Sequence, residues 1–183
     1  MSASKRLTKE LADCTTNSPP GMHISLPDDS NLFKWHVILD GPAGTVYAGG
    51  RFGVVVQLHE NYPFRSPTVT FATRIYHPNV TNDNLGNICL SVLKPENWKP
   101  AVKLVSVLEA VRNLLVEPQP DDPLEARIAD EYKNDRKEFE KNARAYVAQY
   151  AKGAVNWEKA EAGAAAAAGG ATTSTTTNTT SAR

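Results

Sequence analysis

The chain opens with apolar residues at helical spacing. Leu7, Leu11 and Cys14 stand at i, i+4 and i+7, which places their side chains on one face of a helix. The positions around them are charged, namely Lys5, Arg6, Lys9 and Glu10. This pattern predicts an amphipathic helix over residues 4–14 with Cys14 in the core, and the NSPPG segment at 17–21 ends it.

From residue 33 the apolar period changes to two. Alternating runs occupy residues 33–39 and 52–58, separated by a Gly-Pro-Ala-Gly turn at 41–44. A Pro-rich turn at 62–67 follows, and Val69 begins a third run. Successive strands joined by short turns predict an antiparallel meander.

Helical spacing returns in the second half of the chain. The apolar positions of the first such helix are Leu104, Val107, Leu108, Val111 and Leu115. We expect the next helix to have Asp122 as its N-cap and Pro123 at its first position, and Asp135 to cap the last. The order of one helix, a meander, a long loop and three helices indicates an α+β domain over residues 1–152.

Composition limits the classes of function. The 183 residues include 20 basic and 20 acidic side chains without a basic stripe, so no nucleic-acid partner is expected. The polar N-terminus and the lack of a long apolar run predict a protein without membrane contact, in the cytoplasm, the nucleus or both. Cys14 and Cys89 are expected to be free thiols. The Ala- and Thr-rich residues 153–183 predict a disordered tail.

The segment from Tyr76 to Leu90 carries candidate chemistry. Pro78 restrains a turn that holds Asn79, and Gly86 permits a tight loop before Cys89. A thiolate can hold an acyl group as a thioester, and an amide N–H can stabilise the oxyanion of an attack on it. The same residues also fit a buried, inert cysteine and an ordinary turn.

Five motifs in order give the chain a family resemblance. They are YPFRSP at 62–67, HPN at 77–79, ICL at 88–90, WKPA at 98–101 and PQPDDPL at 118–124. With these motifs, residues 4–152 resemble the ubiquitin-conjugating enzyme family. The resemblance implies the UBC fold, with an N-terminal helix, a four-stranded antiparallel sheet, a long active-site loop and C-terminal helices.

The resemblance also implies a reaction. Cys89 would receive ubiquitin from an activating enzyme as a thioester and pass it, with a ligase of RING, HECT or RBR type, to a lysine or a ligase cysteine. No cofactor or metal is implied, because the activating enzyme uses the ATP, and a monomer is expected. Asp122 would orient the incoming amine, or only cap the next helix. Asn79 would donate to the oxyanion, or brace the cysteine loop.

The family's docking surface maps onto three segments of this chain. The residues implied to contact the activating enzyme and ligases are Lys5, Arg6, Lys9, Phe64, Pro100 and Ala101. Three positions depart from the common pattern. The segment from Asn79 to Cys89 is longer, Ser91 stands where many members have Asp, and Ile24 replaces a small polar residue on the sheet face opposite the active site. The loss of an acid at Ser91 would favour transfer to a ligase cysteine, whereas Asp122 favours transfer to lysine.

Other classes fit less well. A phosphatase would need an arginine six positions after the cysteine, where this chain has Pro95. A cysteine protease would need a base near the thiol, and only His77 is close in sequence. No spacing typical of a metal site occurs. A conjugating enzyme for a ubiquitin-like modifier and a catalytically silent ubiquitin-binding module of the same fold remain alternatives.

Overall fold

The computed structural model describes residues 3–158, which fold around one antiparallel sheet. The elements in chain order are α1 Ala3–Thr16, β1 Met22–Ser25, β2 Lys34–Asp40, β3 Arg51–Gln57, β4 Thr68–Phe71, a 3₁₀ turn Ser91–Leu93, α2 Leu104–Val116, α3 Ala126–Asn134 and α4 Arg136–Tyr150. The strands lie in the order β1-β2-β3-β4 and each neighbouring pair is antiparallel. The predicted α+β class, with its meander and flanking helices, is confirmed. In this described part, no helix is long and apolar enough to cross a membrane.

The inner face of the sheet forms the core with α1 and α2. Trp35, Val37 and Leu39 of β2 are buried in one cluster with Leu7 of α1 and Val107 of α2. Alternation along β2 directs every second side chain to this face. The alternating apolar runs predicted from the sequence are therefore the strands of this sheet, and the loops that follow the sheet rest on it.

Strand β1 corrects one sequence expectation. Its four residues pair with β2 so that Ile24 lies opposite Val37. Cross-strand partners share a face of the sheet, and Val37 belongs to the core. Ile24 therefore packs against the core, and the expectation that it lies on the opposite face is wrong. His23 and Ser25 occupy the outer face at this edge by alternation.

Helix α1 buries one charged residue that we expected on its polar side. Leu7 and Cys14 are buried as predicted, but Glu10 is only 4% exposed. Glu10 stands three residues after Leu7 and four before Cys14, so it shares their face. A buried carboxylate needs hydrogen-bond partners, and those of Glu10 link α1 to the turn at Tyr62 and to the start of α2.

The start of α3 differs from the sequence prediction. The helix begins at Ala126, so Asp122 does not cap it and Pro123 is not its first residue. The backbone N–H groups of Leu124 and Glu125 instead donate to the carbonyl of Pro78 at 2.9 and 3.0 Å. These bonds tie the segment before α3 to the HPN turn and leave the Asp122 side chain available. The predicted cap at Asp135 is confirmed, since its side chain accepts from the backbone N–H of Glu138.

The outer face of the sheet contacts residues beyond the expected domain end at 152. Trp157 stacks on His36 with ring centroids 3.9 Å apart and planes at 7°. A Cβ built at Gly53 would lie 2.3 Å from Cγ1 of Val155 and 3.1 Å from Trp157. Val55, which pairs with His36 across the sheet and is not part of the inner cluster, is only 1% exposed. The chain thus packs on the domain at least to Trp157, and residues 159–183 of the expected tail lie outside the described residues.

Candidate active site

The HPN turn is anchored through a fully buried histidine. Nδ1 of His77 accepts the backbone N–H of Asn79 at 2.9 Å, so Nε2 carries the proton and donates to the carbonyl of Leu114, also at 2.9 Å. Burial lowers the pKa of His77 to about 4 against the opposing effect of the Leu114 carbonyl. The imidazole is therefore neutral, and both nitrogens are occupied in fixing the turn to the end of α2.

Asn79 connects the 119–122 segment to the loop that carries Cys89. Its side-chain N–H₂ group donates to the carbonyls of Gln119 and Asp122 at 2.8 and 2.9 Å, and its side-chain oxygen accepts the N–H of Gln119 at 2.9 Å. Its backbone carbonyl accepts the N–H of Cys89 at 2.9 Å. Asn79 is only 1% exposed. Both side-chain donors of Asn79 are therefore paired with backbone carbonyls.

The segment between Asn79 and Cys89 folds into a turn of its own. The Asp83 carboxylate accepts from the hydroxyl of Thr81 and from the backbone N–H groups of Leu85 and Gly86 at 2.8 to 3.1 Å. Gly86 has φ +60°, and a Cβ there would lie 2.0 Å from the carbonyl oxygen of Phe71. Only glycine fits this position. After this turn the chain returns to Asn79, whose carbonyl accepts the N–H of Cys89.

Cys89 lies beside two oppositely charged side chains. Its Sγ is 3.5 Å from Oδ2 of Asp122, and the same oxygen accepts from Nζ of Lys94 at 2.8 Å. The thiol is partly buried, whereas the Asp122 side chain is 63% exposed. The sulfur is therefore open to a partner, with a carboxylate at its edge.

The charges around the thiol shift three pKa values. Burial, followed by the negative charge of Asp122, raises the pKa of Cys89, and Lys94 opposes this effect. The hydrogen bond from Lys94 lowers the pKa of Asp122, and the reciprocal bond raises the pKa of Lys94. At neutral pH Asp122 is a carboxylate, Lys94 is an ammonium, and Cys89 is mostly protonated.

Comparison with known proteins assigns the family. The family model described as ubiquitin-conjugating enzyme matches residues 6–147. The chain is 51% identical over 151 residues to ubiquitin-conjugating enzyme E2 14 of Schizosaccharomyces pombe, covering 82% of this chain and 96% of that protein. It is 40% identical over 152 residues to ubiquitin conjugating enzyme E2 B of Dictyostelium discoideum, covering 83% of this chain and 100% of that protein.

The chain belongs to the ubiquitin-conjugating enzyme family. The predicted function in ubiquitin conjugation is thereby confirmed, as is the enzyme class, a transferase that acts through a cysteine thioester. The two cysteines of this chain lie in different surroundings, because Cys89 is partly exposed and Cys14 is buried. Cys14 is buried in the core, and burial raises its pKa to about 11, which makes it a poor nucleophile.

The predicted docking residues of this ubiquitin-conjugating enzyme lie on the surface with one exception. Phe64 is 81% exposed, and Pro100, Ala101, Lys5 and Lys9 are exposed as well. The exception is Arg6, which is partly buried. Its guanidinium donates to Glu10 and to the carbonyl of Val102.

The turn that presents Phe64 is held from both sides. Tyr62 is buried, and its hydroxyl donates to Glu10 at 2.7 Å. The indole N–H of Trp98 donates to the carbonyl of Pro63 at 2.7 Å. Phe64 therefore projects from a fixed turn and not from a loose loop.

Two site residues were missed by sequence reasoning. Glu10 accepts from Arg6, Tyr62 and the backbone N–H of Leu104, so one carboxylate joins α1, the Phe64 turn and the start of α2. In the sequence, the burial of Glu10 is indicated by its helical spacing from Leu7 and Cys14. Lys94 had no signal in the sequence, since its pairing with Asp122 depends on a distant loop. Among residues 3–158, no cluster of three or more His, Cys, Asp or Glu side chains is placed to hold a metal ion.

Proposed function

We propose that Cys89 carries ubiquitin as a thioester in this conjugating enzyme. The position of Cys89 supports this role. Its sulfur is partly exposed and lies 3.5 Å from the ionised carboxylate of Asp122. The backbone N–H of Cys89 is bound to the carbonyl of Asn79, which fixes the loop that carries the thiol. Thiol exchange from an activating enzyme's cysteine to Cys89 replaces one thioester by another, so it needs no dedicated base. The raised pKa also makes Cys89 a slower leaving group. A thioester on it is thereby protected from chance attack by weak nucleophiles.

We further propose that Asp122 directs transfer to lysine amines. A substrate ammonium must be held near the thioester and must lose a proton before it attacks. The Asp122 carboxylate is exposed, ionised and already in contact with one ammonium, that of Lys94. Ser91 is bound to the side chain of Asn97 and supplies no acid. Asp122 therefore supplies the acidic group that Ser91 lacks.

We propose that five of the six predicted docking residues contact partners and that they divide between two kinds of partner. Lys5 and Lys9 on α1 are proposed for the activating enzyme, and Phe64, Pro100 and Ala101 for ligases. An exposed aromatic residue on a fixed turn suits an interface anchor, because little of its backbone has to be ordered on binding. Arg6 is assigned to the internal network around Glu10. Its removal would act through that network as well as through any direct contact.

The carrier assignment is tested by charging. The purified protein, Cys89→Ser and Cys14→Ser are incubated with activating enzyme, ATP and ubiquitin and resolved without reductant. A thiol-sensitive band is expected for the wild type and Cys14→Ser, with a reductant-resistant ester or no band for Cys89→Ser. A thiol-sensitive band on Cys89→Ser would contradict the proposal. No band on the wild type would also contradict the assignment of Cys89 as the carrier.

The docking assignment is tested with Phe64→Ala. Charging should stay at the wild-type rate, while ligase-stimulated discharge falls by about tenfold or more, as expected for an interface anchor. Leu85→Ala is a matched control, because Leu85 is another exposed apolar residue on a different loop. Equal loss of ligase response in both variants would show that the effect is not specific to the Phe64 turn.

A further inference from the structure

The Asp122 carboxylate lies on a short loop, residues 119–125, that is held at both ends and is called the acidic loop below. Near its start, hydrogen bonds from the side chain of Asn79 hold the backbone. At its end, the backbone N–H of Glu125 donates to the carbonyl of Pro78 at 3.0 Å. Most of the loop is exposed to solvent. These bonds, and not burial, therefore decide where the carboxylate lies.

The side chain of Glu125 adds a bond of its own to the acidic loop. Its Oε1 accepts the backbone N–H of Asn82 at 2.6 Å. Asn82 belongs to the thiol loop, which runs from Asn79 to Cys89. A carboxylate acceptor makes a stronger hydrogen bond than a neutral oxygen does. Glu125 therefore limits how far the end of the acidic loop can move away from the thiol loop.

Asn82 is a fixed point for this bond, because its other polar groups are held as well. Its side-chain N–H₂ group donates to the hydroxyl of Tyr146 on α4 at 3.1 Å. The guanidinium of Arg74 donates to its backbone carbonyl and to its side-chain oxygen, both at 3.4 Å. The same guanidinium lies over the rings of Tyr146 and Tyr150, 5.9 and 5.1 Å from their centroids. The bond from Asn82 to Glu125 thus connects the acidic loop to α4.

The side chain of Glu125 is not used to cap the helix that it precedes. Glu125 stands at the N-cap position of α3, but its side chain makes no capping hydrogen bond. Its backbone carbonyl accepts the first bond of the helix, from the N–H of Ala129, and any residue can supply that carbonyl. Replacing Glu125 by alanine therefore removes the bond to Asn82 without removing a helix cap.

We propose that Glu125 is a positioning residue for transfer to lysine, which keeps the carboxylate of Asp122 beside the thiol of Cys89. The inference rests on the proposed function, because Glu125 acts through Asp122, whose Oδ2 is 3.5 Å from the sulfur. A displacement of about 1 Å at such a site can slow a reaction severely. Charging should tolerate the displacement, since thiol exchange uses the sulfur and not the carboxylate.

A carboxylate in this place can also act by its charge, by attracting the ammonium of a substrate lysine. Glutamine separates the two roles, because its side-chain oxygen can accept the N–H of Asn82 but carries no charge. If position matters, Glu125→Gln should discharge to lysine nearly as fast as the wild type, and Glu125→Ala should be slow. If charge matters, both variants should be slow.

The experiment measures single-turnover discharge of the ubiquitin-charged full chain to free lysine and to hydroxylamine. The variants are Glu125→Ala, Glu125→Gln, Asp122→Ala and the double variant with both alanine changes. Glu140→Ala is the matched control, because Glu140 is another partly buried glutamate, and its pairs with Arg136 and Arg144 lie at the surface. Hydroxylamine is uncharged near neutral pH and needs no carboxylate to hold an ammonium, so it reports access to the thioester.

The expected results link the effect of Glu125 to Asp122. Glu125→Ala should lower the rate with lysine by about three- to tenfold and leave charging and the hydroxylamine rate unchanged. Glu125→Gln and Glu140→Ala should stay within about twofold of the wild type. In the Asp122→Ala background, loss of Glu125 should add no further slowing, because the positioned carboxylate is already absent.

Four results would overturn the positioning role and leave the role of Asp122 intact. They are a wild-type lysine rate for Glu125→Ala, equal slowing in Glu125→Gln, full additional slowing in the Asp122→Ala background, and slowing with hydroxylamine or in charging that equals the slowing with lysine. The last result would show general damage to the thiol loop. A wild-type lysine rate for Asp122→Ala would overturn the proposed role of Asp122 and the inference with it.

Discussion

The side-chain amide of Asn79 donates to the backbone carbonyl of Asp122 at 2.9 Å, which fixes the acidic loop relative to the thiol loop. If bracing is its main role, Asn79→Ala should lower the free energy of unfolding by about 2 kcal/mol, because buried partners lose their hydrogen bonds. Asn79→Asp should destabilise at least as much, since a carboxylate oxygen would face the carbonyls of Gln119 and Asp122. Urea denaturation measures both changes. Loss of lysine discharge at unchanged stability would support the oxyanion role instead.

The charges beside Cys89 predict opposite pKa changes in two variants. Asp122→Asn removes a negative charge that raises the pKa of Cys89, so the pKa should fall. Lys94→Gln removes the cation that lowers it, so the pKa should rise. Rates of alkylation by iodoacetamide against pH, in a Cys14→Ser background, report the thiolate fraction. Shifts in the same direction would contradict this electrostatic account.

Asp122 should matter more for discharge than for charging. Asp122→Ala removes the carboxylate that would hold an incoming amine, so single-turnover discharge to free lysine should fall by about tenfold or more. Thioester formation should change much less, because thiol exchange needs no amine. Both rates are measured on the same gel system. Equal slowing of both steps, together with a lower melting temperature, would indicate damaged folding.

His77 should make the fold sensitive to acid. Its folded pKa of about 4 lies below the unfolded value of about 6.5, so the unfolded chain binds more protons between these limits. Stability from this group is full above pH 6.5 and is lost as pH falls toward 4, by up to about 3 kcal/mol. Unfolding free energies over this range should show the loss, and His77→Gln should show less of it. An imidazole titration of His77 near pH 6.5 in the folded protein would contradict the assignment.

The contacts of Trp157 revise the expectation for the C-terminal segment. A disordered tail from residue 153 onward, as the sequence predicts, could be deleted with charging and melting temperature nearly unchanged. Because Trp157 stacks on His36, Trp157→Ala should lower the melting temperature by about 5 °C, while charging stays unchanged. Glu158→Ala is the control, since Glu158 is exposed. Calorimetry that finds equal melting temperatures for both variants would show that the stacking adds no stability.

Local pattern and motif order were enough to predict the fold class, the buried Cys14 and the exposed Phe64. The errors arose where distant partners decide a local outcome. Asp122 had the sequence of a helix cap, but the N–H groups after it bind the carbonyl of Pro78 instead. Ile24 lies on the core side because pairing with β2 sets the register of a strand too short to show a period.

The C-terminal boundary could not be placed from composition. Val155 and Trp157 precede an Ala- and Thr-rich stretch that dominates any sequence window. Their role depends on Gly53, whose missing side chain leaves room for both on the sheet. Such a fit between a small residue and a distant apolar pair leaves no periodic signal.

The buried carboxylate of Glu10 has a consequence for recognition. Because it bonds to Tyr62, Arg6 and the start of α2 at once, the surfaces proposed for the activating enzyme and for ligases share one rigid support. A partner that meets Phe64 finds the turn already immobilised, so less conformational freedom is lost when the complex forms. Glu10→Gln would therefore weaken recognition at a distance, although Glu10 itself is buried and is not part of either proposed surface.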